Sequence, residues 1–100
     1  MAGCYEVVLN IQSQNNLTVN YTGTAQYVQI PQGITDVFVW TTTDADIAIG
    51  PLATATTTSF PLPAYTPIRC RVNDSSLATN RVSAVQISSA GTLNVGIFLP

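Results

Sequence analysis

From residue 5 the chain alternates: Tyr5, Val7, Leu9 and Ile11 are separated by Glu6, Asn10 and Gln12, and only Val8 breaks the parity. A period of two puts one set of side chains on each face of an extended chain, so this segment is predicted to be a half-buried strand. After the polar run 13–16 the alternation resumes with Leu17, Val19 and Tyr21 against Thr18, Asn20 and Thr22. It predicts a second strand, paired with the first as a hairpin and ended at Gly23. Residues 26–30 read as a short strand closed by Pro31-Gln32-Gly33, where proline presets φ and glycine permits a positive one. Residues 36–42 contain Val37-Phe38-Val39-Trp40, apolar on both faces, which predicts a central strand with Trp40 in the core.

Asp44-Ala45-Asp46 then turns into Ile47-Ala48-Ile49, which stops at Gly50-Pro51. Residues 52–66 read as one loop, longer than compact domains ordinarily carry without a function. Ile68, Cys70 and Val72 alternate with Arg69 and Arg71, so the two arginines project from one face and the thiol packs on the other. Asn73-Asp74-Ser75-Ser76 is a turn, residues 81–88 a strand, and Ala90-Gly91 leads into a last alternating strand with Leu93, Val95, Ile97 and Leu99. No stretch has the 3.6-residue period of a helix. About eight short strands separated by turn signals predict one all-β domain over residues 1–100, an antiparallel β-sandwich. Eight strands and one long connection favour a jelly roll over an immunoglobulin-like arrangement.

Charge changes the picture more than hydrophobicity does. The 100 residues carry five acids and three arginines, with no lysine and no histidine, a charged fraction of 8% where soluble proteins average about 25%. Polarity comes instead from 14 Thr, 7 Ser, 7 Asn and 6 Gln, a neutral hydroxyl and amide surface. A net charge of −2 without lysine leaves no basic stripe for phosphates or anionic lipid, so neither nucleic acid nor membrane is an expected partner. The longest apolar runs are a few residues, far from the roughly 20 that span a bilayer. Residues 1–5 lack a basic start and Glu6 interrupts any apolar segment, so no secretory signal is expected and synthesis is expected in the cytoplasm. Without histidine or lysine the usual general base and Schiff-base chemistry are missing, and no enzyme is expected.

Few residues suggest a site. Asp44 and Asp46 are two carboxylates where calcium prefers six to eight oxygens, so they read as an acidic turn; no metal or cofactor is expected. Cys4 and Cys70 in a chain without a signal read as reduced thiols. Arg69 and Arg71 read either as a solvated face or as a docking point for an acidic neighbour, since arginine grips carboxylates in bidentate fashion. A soluble monomer ordinarily carries lysines on its faces and edges, and this chain has none. That depletion points to a surface covered by partners in a repeated assembly.

Ile47-Ala48-Ile49-Gly50-Pro51, continued by Thr54-Ala55-Thr56, Ser59 and Pro61-Leu62-Pro63-Ala64, resembles a family of small structural proteins of tailed bacteriophages, cyanophages included. The likeness covers mainly residues 47–72, with an echo in residues 89–95. It departs from the family at residues 68–72, where Arg69-Cys70-Arg71 replaces a more acidic or aromatic segment. The resemblance implies a head cement or decoration protein without catalytic residues, on the capsid exterior of the virion. Its implied partners are the major capsid protein and further copies of itself, as a homotrimer. Its implied action is to bridge neighbouring capsid subunits after the head expands, so that many weak contacts add up. Residues 52–65 are then expected to be a proline-rich arm whose removal abolishes shell binding and leaves the sandwich folded. The expected contact residues are Thr54, Thr56, Phe60, Leu62 and Tyr65 on that arm, with Arg69 and Arg71. The alternative is a β-sandwich module of a tail fibre or receptor-binding structure, touching saccharide through exposed Tyr, Asn and Asp.

Overall fold

The structure, a computed structural model, describes residues 16–97. They form eight strands: β1 (Asn16–Tyr21), β2 (Gln26–Gln29), β3 (Asp36–Thr41), β4 (Ala45–Pro51), β5 (Phe60–Leu62), β6 (Ile68–Arg71), β7 (Asn80–Gln86) and β8 (Gly91–Ile97). The strand expected at residues 5–12, its hairpin with residues 17–22, and Cys4 lie outside the described residues. Within them β1 pairs with the far end of the chain, β8, from Asn16 opposite Gly96 to Tyr21 opposite Gly91.

One sheet has the order β1-β8-β3-β6 and the other β2-β7-β4-β5, all antiparallel. The pairs β1 with β8, β2 with β7, β3 with β6 and β4 with β5 are those of one long hairpin rolled up so that alternate pairs fall in opposite sheets. That is the jelly roll expected from the strand count. Period-2 alternation fills the space between the sheets. In the first sheet Leu17, Val19 and Tyr21, Leu93, Val95 and Ile97, Val37 and Val39 point inward; from the second come Val28, Val82, Ala84, Ala45, Ile47 and Leu62. The register puts Val95 between Leu17 and Val39, so the inner rows are continuous from strand to strand.

The tyrosine that ends β1 closes one end of this core. Tyr21 is fully buried, and its hydroxyl bonds the Thr43 carbonyl at 2.9 Å and the Thr43 hydroxyl at 2.7 Å, tying β1 to the β3–β4 turn. Gly91 opposite it is required by space: a Cβ there would stand 2.6 Å from that hydroxyl and 2.9 Å from Thr42 Oγ1. The Pro31–Gly33 turn forms as its residues demand, with Gly33 at φ 93°.

Two expectations are corrected. Residues 52–66 are not one loop, because Phe60–Leu62 is β5, at the edge of the second sheet with Leu62 opposite Ala45. Trp40 is not in the core. β3 does lie inside its sheet, between β8 and β6, but it buries only Val37, Val39 and Thr41 completely, and Phe38 and Trp40 stand half-buried on the outer face.

Candidate partner-binding edge

β5 and β6 are the last strands of their sheets on the same side of the sandwich, and both are short, three and four residues against seven in β4 and six in β3. Short margins leave the core open there. Ile47 and Ile49 of β4, Phe60 of β5, and Ile68 and Cys70 of β6 line an apolar cleft of about 280 Å³. A second cleft of about 220 Å³, between Asp44, Pro61, Leu62, Pro63 and Ile87, lies on the other flank of β5. Phe60 is 60% exposed and Ile87 50%. Apolar side chains gathered beside an open cleft are the usual mark of an interaction surface.

The Thr-rich part of the connection is held down on the second sheet. Arg81 of β7 gives Nε to the Ala53 carbonyl at 2.8 Å and its terminal nitrogen to the Leu52 carbonyl and the Thr54 hydroxyl, at 3.1 and 3.2 Å. Its guanidinium also sits 4.0 Å over the Tyr27 ring. The buried Ser83 hydroxyl accepts the Ala55 N–H at 2.9 Å and donates to the Gln26 carbonyl at 3.0 Å. Ala55 itself is buried. Nothing in the sequence singled out Arg81, because most of its acceptors are backbone carbonyls, which any residue supplies. Arg81→Ala is expected to release residues 53–58, speeding amide exchange there at least tenfold while exchange in β3 and β8 is unchanged; equal protection in both proteins contradicts the strap.

The seven expected contact residues therefore divide. Thr54 binds Arg81 on the outer face of the second sheet, and Thr56 caps its own turn through its N–H to Ser59 Oγ at 3.0 Å. Leu62 is 1% exposed and belongs to the core, reaching the surface only at the floor of the second cleft. Ala55 and Leu62 together correct the removable arm: cutting residues 52–65 takes two buried side chains and a strand out of the sandwich. Phe60, Tyr65, Arg69 and Arg71 remain, around the β5 and β6 side. Tyr65 is 67% exposed at φ 54°, with its ring 5.8 Å from that of Trp40. Arg69 pairs with Asp36 at 3.4 Å, and Arg71 is exposed on the same face.

The expected acidic turn ends at Asp44, because Asp46 is buried within β4 opposite Val85. Asp44 accepts the Ala64 N–H at 2.9 Å, anchoring the chain after β5. Asp74 accepts from the Ser76 hydroxyl and N–H, which holds its carboxyl below the ordinary carboxylate range. Burial raises the pKa of the Cys70 thiol. No group of three or more His, Cys, Asp or Glu able to hold a metal occurs among the described residues, and among them no helix is long and apolar enough to cross a membrane.

Fold and surface define the class: a jelly-roll β-sandwich with an apolar cleft at one edge, built from a chain of low charge. The chain matches no protein-family model, no curated protein and no solved structure.

Proposed function

We propose that this chain is a virion structural protein, a cement or decoration protein that binds across major capsid protein subunits of a tailed phage and stabilises the expanded head. The observation that carries the reading is the pairing of large exposed apolar side chains with scarce charge: Tyr65, Leu52, Phe60 and Ile87 are 67, 64, 60 and 50% exposed on a chain with 8% charged residues. Such a surface is ill suited to life as a free monomer and well suited to burial against a repeated partner. The resemblance in residues 47–64 supplies the capsid as that partner, outside the head, and the homotrimer as the form that meets it.

No chemical step is involved in this action. A small rigid sandwich buries area at each lattice position, and copies repeated over the shell multiply a modest affinity into resistance to internal pressure. Co-sedimentation tests the reading: purified chain is expected to pellet with expanded, undecorated heads and saturate at a fixed ratio to the capsid protein. A chain that stays in the supernatant contradicts it. Strong binding to saccharide instead favours the tail-fibre alternative, to which the exposed Tyr65 beside Trp40 lends an aromatic platform.

A further inference from the structure

The cleft between β5 and β6 opens on two edges that are not equivalent. β5 has Pro61 at its centre, a residue without an N–H for a further strand. β6 is an uninterrupted Ile68–Arg71. The Val72 N–H donates to the Thr35 carbonyl at 2.7 Å, and antiparallel pairing alternates from residue to residue. Cys70 therefore turns its backbone groups toward β3, and Arg71 turns its own outward. On the inner side Ile68 and Cys70 line the cleft; on the outer side Arg71 has no ion-pair partner among the described residues.

Residues 5–11 lie outside the described residues, and their sequence has what this edge lacks. Tyr5, Val7, Leu9 and Ile11 share one side of an extended chain, and Glu6, the one acid outside the described residues, is on the other. We propose that residues 5–11 of a second copy of this chain add to β6 as an antiparallel strand and fill the cleft. Val7 lies opposite Cys70 and Leu9 opposite Ile68, both entering the space between Ile47, Ile49 and Phe60. Tyr5 falls opposite the buried Val72, and Glu6 faces Arg71. A shift by one residue would drive Glu6 into the apolar cleft, so parity fixes which face of the added strand enters it, and the pairing of Glu6 with Arg71 selects among registers of that parity.

Reach decides for a second copy against the chain's own start. Asn16, where β1 begins, shares one row across the sheet with Gly96, Phe38 and Arg69. A strand beyond β6 is four strand spacings from it, about 19 Å. Ile11 would stand three residues further along, so the span from Ile11 to Asn16 is about 21 Å, while five residues extend at most about 18 Å. A strand given to a neighbour is a head-to-tail contact, which closes into a ring where the rotation allows. The inference goes beyond capsid binding and is tested without shells, so its failure and that of the cementing reading are separate results.

The full chain carrying Cys4→Ser, with Cys70 as its one thiol, is examined by sedimentation over a dilution series together with the rate at which a maleimide labels Cys70. The expected result is a concentration-dependent oligomer with Cys70 labelled at least tenfold more slowly than after Val7→Asp and Leu9→Asp, which yield a monomer. Glu6→Arg and Arg71→Glu are each expected to weaken association up to about fivefold, and the two together to restore it to within about twofold. A monomer that labels fast shows an empty edge, a monomer that labels slowly shows the chain's own segment in the cleft, and an oligomer indifferent to Val7→Asp and Leu9→Asp shows a different interface. Each of these overturns the proposal, as does a charge exchange that restores nothing.

Discussion

Leu62→Ala is expected to lower stability by about 2–5 kcal/mol, whereas Phe60→Ser two residues away changes it by less than about 1 kcal/mol and removes shell binding. The two side chains belong to the same three-residue strand but face different surroundings. Leu62 is 1% exposed, opposite Ala45 and within the core cluster, so truncation leaves a void between the sheets. Phe60 is 60% exposed at the mouth of the cleft and gives up little when shortened. A domain of this size loses about 4–8 °C of Tm per kcal/mol, so thermal unfolding separates the two variants by at least about 4 °C. Phe60→Ser is expected to have near-native Tm and at least tenfold weaker binding to heads; Leu62→Ala, while folded, binds normally. Equal loss of stability in both would mean that Phe60 is a core residue. Equal binding by Phe60→Ser and the native chain would move the contact away from β5.

Gly91→Val is expected to be the most damaging single change at the Tyr21 end. Its Cβ would meet the Tyr21 hydroxyl at 2.6 Å and the side chains of Thr42 and Thr43, and the remaining two methyl groups deepen the overlap. Overpacking costs about 1–3 kcal/mol, and displacing a buried hydroxyl from Thr43 adds about 1–3 kcal/mol. Together these come to about 2–6 kcal/mol, a large fraction of the roughly 5–15 kcal/mol by which a domain is ordinarily stable. Gly91→Ala combined with Tyr21→Phe tests the cause, because removing the hydroxyl makes part of the room the new methyl needs. The pair is expected to cost less than the sum of its single changes by about 0.5 kcal/mol or more, measured by denaturant unfolding. Strict additivity would show that the hydroxyl is not what Gly91 accommodates.

These residues also show which parts of the fold a sequence exposes. Alternation identified residues 17–21 and 68–72 because each strand has one face on the core and the other on solvent, so the pattern is an image of burial; residues 93–97 alternate too, although β8 lies inside its sheet and Asn94 and Gly96 on its outer face are also buried. β5 left no such image: three residues are too few for a period, and a central proline reads as a loop although an edge strand accepts it. The run Val37-Phe38-Val39-Trp40 read as buried on both faces, yet what stands by Trp40 is one exposed tyrosine from the following connection. Distant cover of that kind has no local signature.

The candidate surface was legible to a similar degree. Scarce charge and a residue such as Phe60 can be read directly, and the two arginines of β6 follow from parity. That Thr54 is tied to Arg81, and that Leu62 turns inward while Phe60 lies open, depends on which strands meet. Pairing between residues this far apart in the chain is set by the whole topology, and the residues in question are alike in composition whether they face the core or a partner.

Quantitative mass spectrometry of purified phage particles, counting copies of this chain against copies of the major capsid protein, tests the cementing role most directly. A protein of the head lattice is expected in a fixed ratio near one to one. A handful of copies per particle, or none, would contradict that role and leave a jelly-roll sandwich whose apolar edge serves another partner.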